Sequence, residues 1–409
     1  MALSTEPLRP ETAKRWELAD IFLEFGESYR NTNPLPRSHL KVMHAIEVCR
    51  TSYLGGHVQK CDTCGYEQHA YNSCRNRHCP KCQSLTKAQW LEDRKAELLP
   101  VPYFHNVFTL PHELNPIALC NKKVIYSMLF KAVSETLLQF GRNNMGGTLG
   151  FTAILHTWDQ KLLDHLHLHC VIAGGVLSRD KTRWIQTKNN YLFNVEALSM
   201  VFRGKFIEYL EKAHAKGKLE FPGNTAKYAT DEKFSKLIKA LRSKDWVVFS
   251  KKPFAGPPEV LDYIGRYTHR VAISNNRIVN VQDRKVTFTY RDRKNNDTLR
   301  LMTLEAGEFI RRFLLHVLPE GFMKIRHFGF LSNRHKKKNV QLCRELIGDN
   351  TPMPARAKKT AGELMLELTG IDITRCPCCG EGTMTTILEM PYPSRRTHMR
   401  PRAGYLDSS

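Results

Sequence analysis

The chain has 409 residues, 42% hydrophobic and 25% charged, enough for two or three globular domains of ordinary composition. Lys and Arg number 62 against 40 Asp and Glu, a formal net charge of +22. An excess that large points to a polyanionic partner, nucleic acid before a membrane surface, because no long basic amphipathic helix stands out. No run of 18 apolar residues occurs, so no membrane-spanning helix is expected, and Met1–Pro10 lacks the basic-then-apolar pattern of a secretion signal.

Residues 10–29 and 37–50 carry apolar residues at mixed three and four spacing, which predicts two helices. A cysteine-rich stretch follows from about 56 to 84. Five of the twelve cysteines lie between Cys61 and Cys82, and three more between Cys376 and Cys379. Paired thiols clustered this way, with no secretion signal, read as metal ligands rather than disulfides. Cys61-x2-Cys64-x14-Cys79-x2-Cys82 predicts one tetrahedral Zn²⁺ site, with Gly65 supplying the tight turn after the first knuckle. His57, His69, Cys74 and His78 are then left for a second site or as alternative ligands; surface histidines of a nucleic-acid-binding module are the plainer reading. Arg75, Arg77 and Lys81 lie among the ligands, where a small zinc-held module would grip DNA phosphates.

Residues 86–99 read as a helix stopped by Pro100 and Pro102, Val101–Leu110 as a strand, and 122–141 as a helix. After the Gly146-Gly147 turn come two runs, Thr148–Trp158 and His165–Ile172, joined by the short connection Asp159–Asp164 and expected to pair as an antiparallel hairpin closed at Gly174-Gly175. Helices are expected at 195–215 and 231–242, a strand at Trp246–Ser250, and a helix opened by Pro257-Pro258 that runs to about Val271. Strands at 277–282, 285–291 and 298–304 and a helix at 305–317 complete an α+β domain on a mostly antiparallel sheet. Beyond it, Arg334–Lys338 is a basic cluster, Pro352–Lys359 a linker, and Tyr392–Arg402 a Pro- and Arg-rich segment expected to lack fixed structure. Cys376-Pro377-Cys378-Cys379-Gly380 supplies one further knuckle, half a site, for which Cys343, His398 or another subunit would provide the rest. The expected domains are a helical and zinc-binding module over 1–98, a central domain over 99–332 and a basic extension over 333–409.

His165-Leu166-His167-Leu168-His169-Cys170 carries the most chemistry. Side chains alternate along a strand, so the three histidines share one face while Leu166, Leu168 and Cys170 share the other. His156 lies on the preceding strand and is close enough in the hairpin to face the same way. Three imidazoles on two neighbouring strands would leave open positions on a bound ion, and imidazole alone does not select Mg²⁺, Mn²⁺ or a softer metal. Beside a basic surface, an open metal suggests Lewis-acid activation of a phosphodiester. The candidate nucleophile is in Tyr263-Ile264-Gly265-Arg266-Tyr267, where two phenols at i, i+4 share a helix face. Aromatic pairs at that spacing are more often core packing, but Arg266, His269 and Arg270 surround this one. A phenol with a free pKa of about 10 needs positive charge nearby to attack phosphorus.

The His-hydrophobic-His strand followed by a Tyr-x-x-x-Tyr helix resembles the HUH endonuclease superfamily, and within it the two-tyrosine rolling-circle transposases of bacterial insertion sequences (the insertion-sequence-ninety-one group). The Tyr71-Asn72-Ser73-Cys74-Arg75-Asn76-Arg77-His78-Cys79-Pro80 stretch resembles the zinc domain of that group, and Phe108-Thr109-Leu110-Pro111-His112-Glu113-Leu114 its first-strand motif. Arg266-Tyr267-Thr268-His269-Arg270 and Cys376–Met384 match as well, so the resemblance runs from about 40 to 385. It implies an HUH nuclease domain in which His156, His167 and His169 hold catalytic Mg²⁺ or Mn²⁺, with His156 favoured over His165 as third ligand. Tyr263 or Tyr267 would attack single-stranded DNA at the ends of a mobile element or in a target, leaving a 5′-phosphotyrosine and a free 3′-hydroxyl. A bacterial cytoplasmic, nucleoid-associated location follows. No Gly-x4-Gly-Lys-Ser/Thr phosphate loop occurs, so a host helicase would unwind the duplex. A relaxase or replication initiator would use the same chemistry. A non-enzymatic zinc-dependent DNA-binding regulator would explain charge and cysteines but not the pairing of His strand with Tyr helix.

Overall fold

Two helices, α1 (Leu18–Thr32) and α2 (Arg37–Glu47), open the portion of the chain that the computed structural model describes: residues 15–95, 97–188, 192–254, 259–260, 265, 271–292, 295–349, 351 and 359–392. A capping box between Glu17 and Asp20 starts α1, and Leu18, Ile21 and Phe22 form its buried face. Val42, Met43 and Ile46 do the same for α2, and Arg30 binds Glu47 at 2.6 Å. Strands β1 (Gly56–Cys61) and β2 (Glu67–Tyr71) then pair antiparallel across the first cysteine knuckle, with Gly56 opposite Tyr71. Helix α3 (Pro80–Lys95) begins at the second knuckle.

The central sheet has six strands: β3 (Tyr103–Thr109), β4 (Gly147–Trp158), β5 (Asp164–Ser178), β6 (Trp184–Gln186), β7 (Val248–Phe254) and β11 (Ile325–Gly329). Its order is β11-β4-β5-β3-β7, with β6 on β5, and each pairing is antiparallel. Helices α4 (Asn115–Cys120) and α5 (Lys122–Met145) separate β3 from β4, and α6 (Val195–Ala215) and α7 (Asp231–Arg242) separate β6 from β7. One face of the sheet, with Phe108, Leu155, Leu166, Leu168 and Cys170, packs in a single apolar cluster with Leu129 and Val133 of α5, Phe202 and Phe206 of α6, and Leu237 of α7. The other face carries Tyr103, Ile154, Val171, Ala173 and Leu177, which pack with Leu99, Val340 and Cys343. The sheet is therefore covered on both sides, and its strands read as near-continuous apolar runs.

Between β7 and β11 the chain forms a separate antiparallel sheet of β8 (Ile278–Gln282), β9 (Lys285–Asp292) and β10 (Thr298–Glu305), followed by α8 (Ala306–Leu315). Phe309, Ile310 and Phe313 are the buried stripe of α8, and the Phe309 ring meets Phe288 of β9 edge-on at 5.8 Å. Helix α9 (Lys336–Ile347) follows β11. The chain then enters α10 (Ala361–Thr369), capped reciprocally by Thr360 and Glu363, and ends its described course in β12 (Met384–Met390). Strand β12 lies antiparallel beside β1, so the small sheet has the order β12-β1-β2.

Several expectations change. The described residues form two compact units, one from residues up to Leu85 together with those from Lys359 on, and the other from those between Thr86 and Lys358. The division falls inside α3 rather than near residue 98, and no separate C-terminal extension exists among the described residues. Lys336–Ile347 buries Val340 and Cys343 in the larger unit, while 359–392 completes the sheet of the smaller one. Strand β5 also runs through Gly174-Gly175 to Ser178. A side chain at Gly175 would collide with the Trp184 ring at 2.3 Å, so this glycine serves close packing rather than a strand end. Of the helix expected over Pro257–Val271, only 259–260, 265 and 271 are described residues.

Candidate metal centres

The β4–β5 hairpin sets its register so that His156 lies directly opposite His167, and β3 follows on the other side of β5 with Val107 opposite His169. His156, His167 and His169 thus share one sheet face, and their ring nitrogens lie within 4.8 Å of one another. The three are 4%, 8% and 7% exposed, so they form a centre shielded from bulk water. His167 Nε2 is 3.1 Å from His169 Nε2. Two nitrogens each about 2.1 Å from one ion would stand roughly 3.0–3.4 Å apart, so the donor set fits a metal.

Neighbouring groups fix the three imidazoles. Trp158 stacks on His156 at 5.0 Å with planes 15° apart. His167 Nδ1 donates to the His165 carbonyl at 2.8 Å, which directs Nε2 toward the cluster. His169 Nδ1 faces His105 Nε2 at 2.9 Å. His105 is 2% exposed, and burial, with the Lys251 ammonium, pushes its imidazole down to about 3. It is therefore neutral and can accept a hydrogen bond from His169, the usual support for a metal-ligating imidazole. His165 is exposed and outside the cluster; its ring lies 4.6 Å from that of His167. Sequence reasoning missed His105 and Trp158. The only signal was a His-Asn pair interrupting the apolar strand Tyr103–Phe108.

The cysteines divide differently from the single site expected. Cys61 and Cys64 do not meet Cys79 and Cys82. Instead, Cys49, Cys74, Cys79 and Cys82 form one group, and Cys61, Cys64, Cys376 and Cys379 another. Four sulfurs held about 2.3 Å from a zinc ion at tetrahedral angles stand about 3.8 Å apart. In the first group Cys82 Sγ is 3.6 Å from Cys49 Sγ and 3.5 Å from Cys74 Sγ, close to that value and too far for disulfides. The sequence spacing suggests another pairing because knuckles from two interleaved cysteine groups look like one. Cys74 is a ligand candidate of the first group, and Cys49, at the end of the second helix, was overlooked. His57, His69 and His78 lie outside both groups; His69 stacks on Tyr71 at 6.0 Å. Cys343, expected to serve the C-terminal knuckle, is buried in an apolar cluster of the larger unit and belongs to neither thiol group, and His398 lies outside the described residues.

Among the expected DNA contacts, Arg75 is exposed and Arg77 is partly buried, with burial lowering its pKa. Lys81 forms an ion pair with Glu17. Tyr263, Tyr267, Arg266, His269 and Arg270 lie outside the described residues.

In this strongly basic α+β protein, three converging imidazoles in one unit and two four-thiol groups in the other are donor sets that could hold metal ions. Residues 21–110 match the family model described as "Transposase zinc-binding domain", and residues 150–339 the one described as "Putative transposase". "Putative transposase y4qJ" of Sinorhizobium fredii (strain NBRC 101917 / NGR234) is 50% identical over 376 residues, 91% of this chain and 94% of its own length. "Transposase for insertion sequence element IS801" of Pseudomonas savastanoi pv. phaseolicola is 27% identical over 335 residues, 81% of this chain and 79% of its own. The chain belongs to the IS91-like transposases that carry an N-terminal zinc-binding domain. Structural zinc accordingly suits the Cys49 group, which lies wholly within residues 21–110. No described helix is long and apolar enough to cross a membrane.

Proposed function

We propose that this transposase nicks and rejoins single-stranded DNA through a tyrosine nucleophile. The observation that carries the reading is the convergence of His156, His167 and His169 on one buried sheet face. A divalent cation, Mg²⁺ or Mn²⁺, held there would supply Lewis-acid polarisation of a phosphate oxygen. The hydroxyl oxygen of Tyr263 or Tyr267 attacks phosphorus. The new Tyr–O–P bond replaces the P–O3′ bond, and the phenolic proton leaves, in balance, on the released 3′-hydroxyl. The 5′-phosphotyrosine keeps the energy of the phosphodiester, so a 3′-hydroxyl can reverse the step without ATP. Two tyrosines four residues apart in the sequence would allow two strands to be held in succession. The substrates are the ends of a mobile element and target DNA. Unwinding falls to a host helicase, and the site of action to the bacterial nucleoid.

The test uses 3′-labelled single-stranded oligonucleotides from the DNA flanking the gene, with Mg²⁺ or Mn²⁺. The wild type should retain the label on the protein after denaturation. Tyr263→Phe combined with Tyr267→Phe should abolish the adduct, and His167→Ala should lower its yield at least 100-fold. An adduct that persists in the double tyrosine variant overturns the proposal.

A further inference from the structure

We propose that Cys61, Cys64, Cys376 and Cys379 form a second structural zinc site, bipartite in sequence, that holds residues 359–392 to the N-terminal module. The family matches cover residues 21–110 and 150–339 and so contain only half of these ligands. The site does not depend on the nicking chemistry proposed above.

Its two halves are built alike. Cys61-Asp62-Thr63-Cys64-Gly65 and Cys376-Pro377-Cys378-Cys379-Gly380 each make a tight turn that ends in a glycine at φ +73°. This is a left-handed conformation that a side chain would oppose. In each, the glycine N–H donates to the carbonyl of the first cysteine, at 3.2 Å for Gly65 and 3.0 Å for Gly380. Backbone N–H groups also point at the sulfurs. Thr63 and Cys64 donate to Cys61 Sγ, each at 3.4 Å, Cys378 to Cys376 Sγ at 3.4 Å, and Gly382 to Cys379 Sγ at 3.3 Å. Such N–H donors around the sulfurs are the outer-layer support that a metal-bound ligand ordinarily has.

The halves face each other. Cys61 Sγ is 3.8 Å from Cys379 Sγ, and Cys64 Sγ is 3.6 Å from Cys376 Sγ, the spacing of a zinc tetrathiolate at about 3.8 Å. Strand pairing brings them there. Cys61 lies opposite Met384 in the β1–β12 ladder, and Asp62 Oδ1 accepts from the Thr383 N–H at 2.8 Å. Gly382 passes so close that a Cβ would sit 2.3 Å from Cys61 Sγ. The apolar cluster around the site is small, consisting of Cys61, Cys376 and Met384 with Cys379 against it.

Zinc content and cysteine protection test the site on the full-length chain. Purified wild type should hold two zinc ions per chain, and Cys376→Ser with Cys379→Ser should hold one. Cys378 is exposed and outside the group, so Cys378→Ser should keep both. A second measurement needs no variant. In the untreated protein iodoacetamide should modify Cys378 at once and spare Cys376 and Cys379 until a chelator is added. Chelation should also open 359–392 to protease. One zinc per wild-type chain, or Cys376 and Cys379 reacting as fast as Cys378 before chelation, overturns the proposal.

Discussion

His105 Nε2 stands 2.9 Å from His169 Nδ1, and the two rings stack with planes 12° apart. His169 Nε2 is turned to His167, so Nδ1 carries the proton and donates to His105. His105 thus fixes which nitrogen of His169 is offered to a metal. Losing a partner of this kind typically costs 10–100-fold in metal affinity. His105→Ala should raise the Mn²⁺ concentration for half-maximal binding by about that factor. His105→Gln, which keeps an acceptor, should recover most of the loss. Titration calorimetry with Mn²⁺ measures both. Equal binding by wild type and His105→Ala would remove His105 from the site.

Leu168 points away from the histidine face between His167 and His169 and is fully buried among the helices that cover the other side. Leu168→Ala should cost about 2–5 kcal/mol of stability, the range for a buried leucine. The Mn²⁺ midpoint should stay unchanged below the melting temperature. A shifted midpoint in folded protein would show that the faces are not independent.

His316 is buried between Thr157 and the Leu162 carbonyl, to which its Nε2 donates at 3.1 Å. Burial, with the Lys122 ammonium adding to it, pushes its pKa down to about 4 from an ordinary 6.5. Between those values the unfolded chain binds a proton that the folded chain refuses. Stability therefore falls as pH drops from 6.5 toward 4, by up to about 1.4 kcal/mol per pH unit for this group, and is insensitive to it above 6.5. Urea midpoints across that window should slope less in His316→Gln, whose amide replaces the donor without a titration. Equal slopes would assign the pH dependence elsewhere.

Arg75 and Lys81 were equivalent DNA contacts by sequence, but Lys81 is engaged with Glu17 and Arg75 is exposed. Arg75→Ala should weaken single-stranded DNA binding and flatten the plot of log affinity against log salt by about 0.7, one phosphate contact. Lys81→Ala should change the slope by less. Fluorescence anisotropy from low to moderate salt distinguishes the two; a larger effect at Lys81 would reverse the assignment.

Local pattern explains which features were legible. The histidine face could be read from HLHLHC because strand alternation is strict over a few residues, and the short connection after Trp158 brought His156 close enough to share it. The same alternation said nothing of His105, whose role comes from β3 lying beside β5. Sheet order is set by packing between distant segments, not by any window of sequence. The thiol groups failed for the same reason. Cys-x-x-Cys is local and was recognised, but the choice of partner knuckle depends on the β1–β12 pairing, which joins positions more than three hundred residues apart.

Strand β1 is the middle strand of its sheet, and β12 is one of its two neighbours. Synthesis runs from the N-terminus, so Cys61 and Cys64 leave the ribosome long before Cys376 and Cys379. Every element from β3 to α9 is translated in between. The larger unit can fold first, while the smaller one waits half-formed with two thiols uncommitted. The module that is first in sequence is finished last.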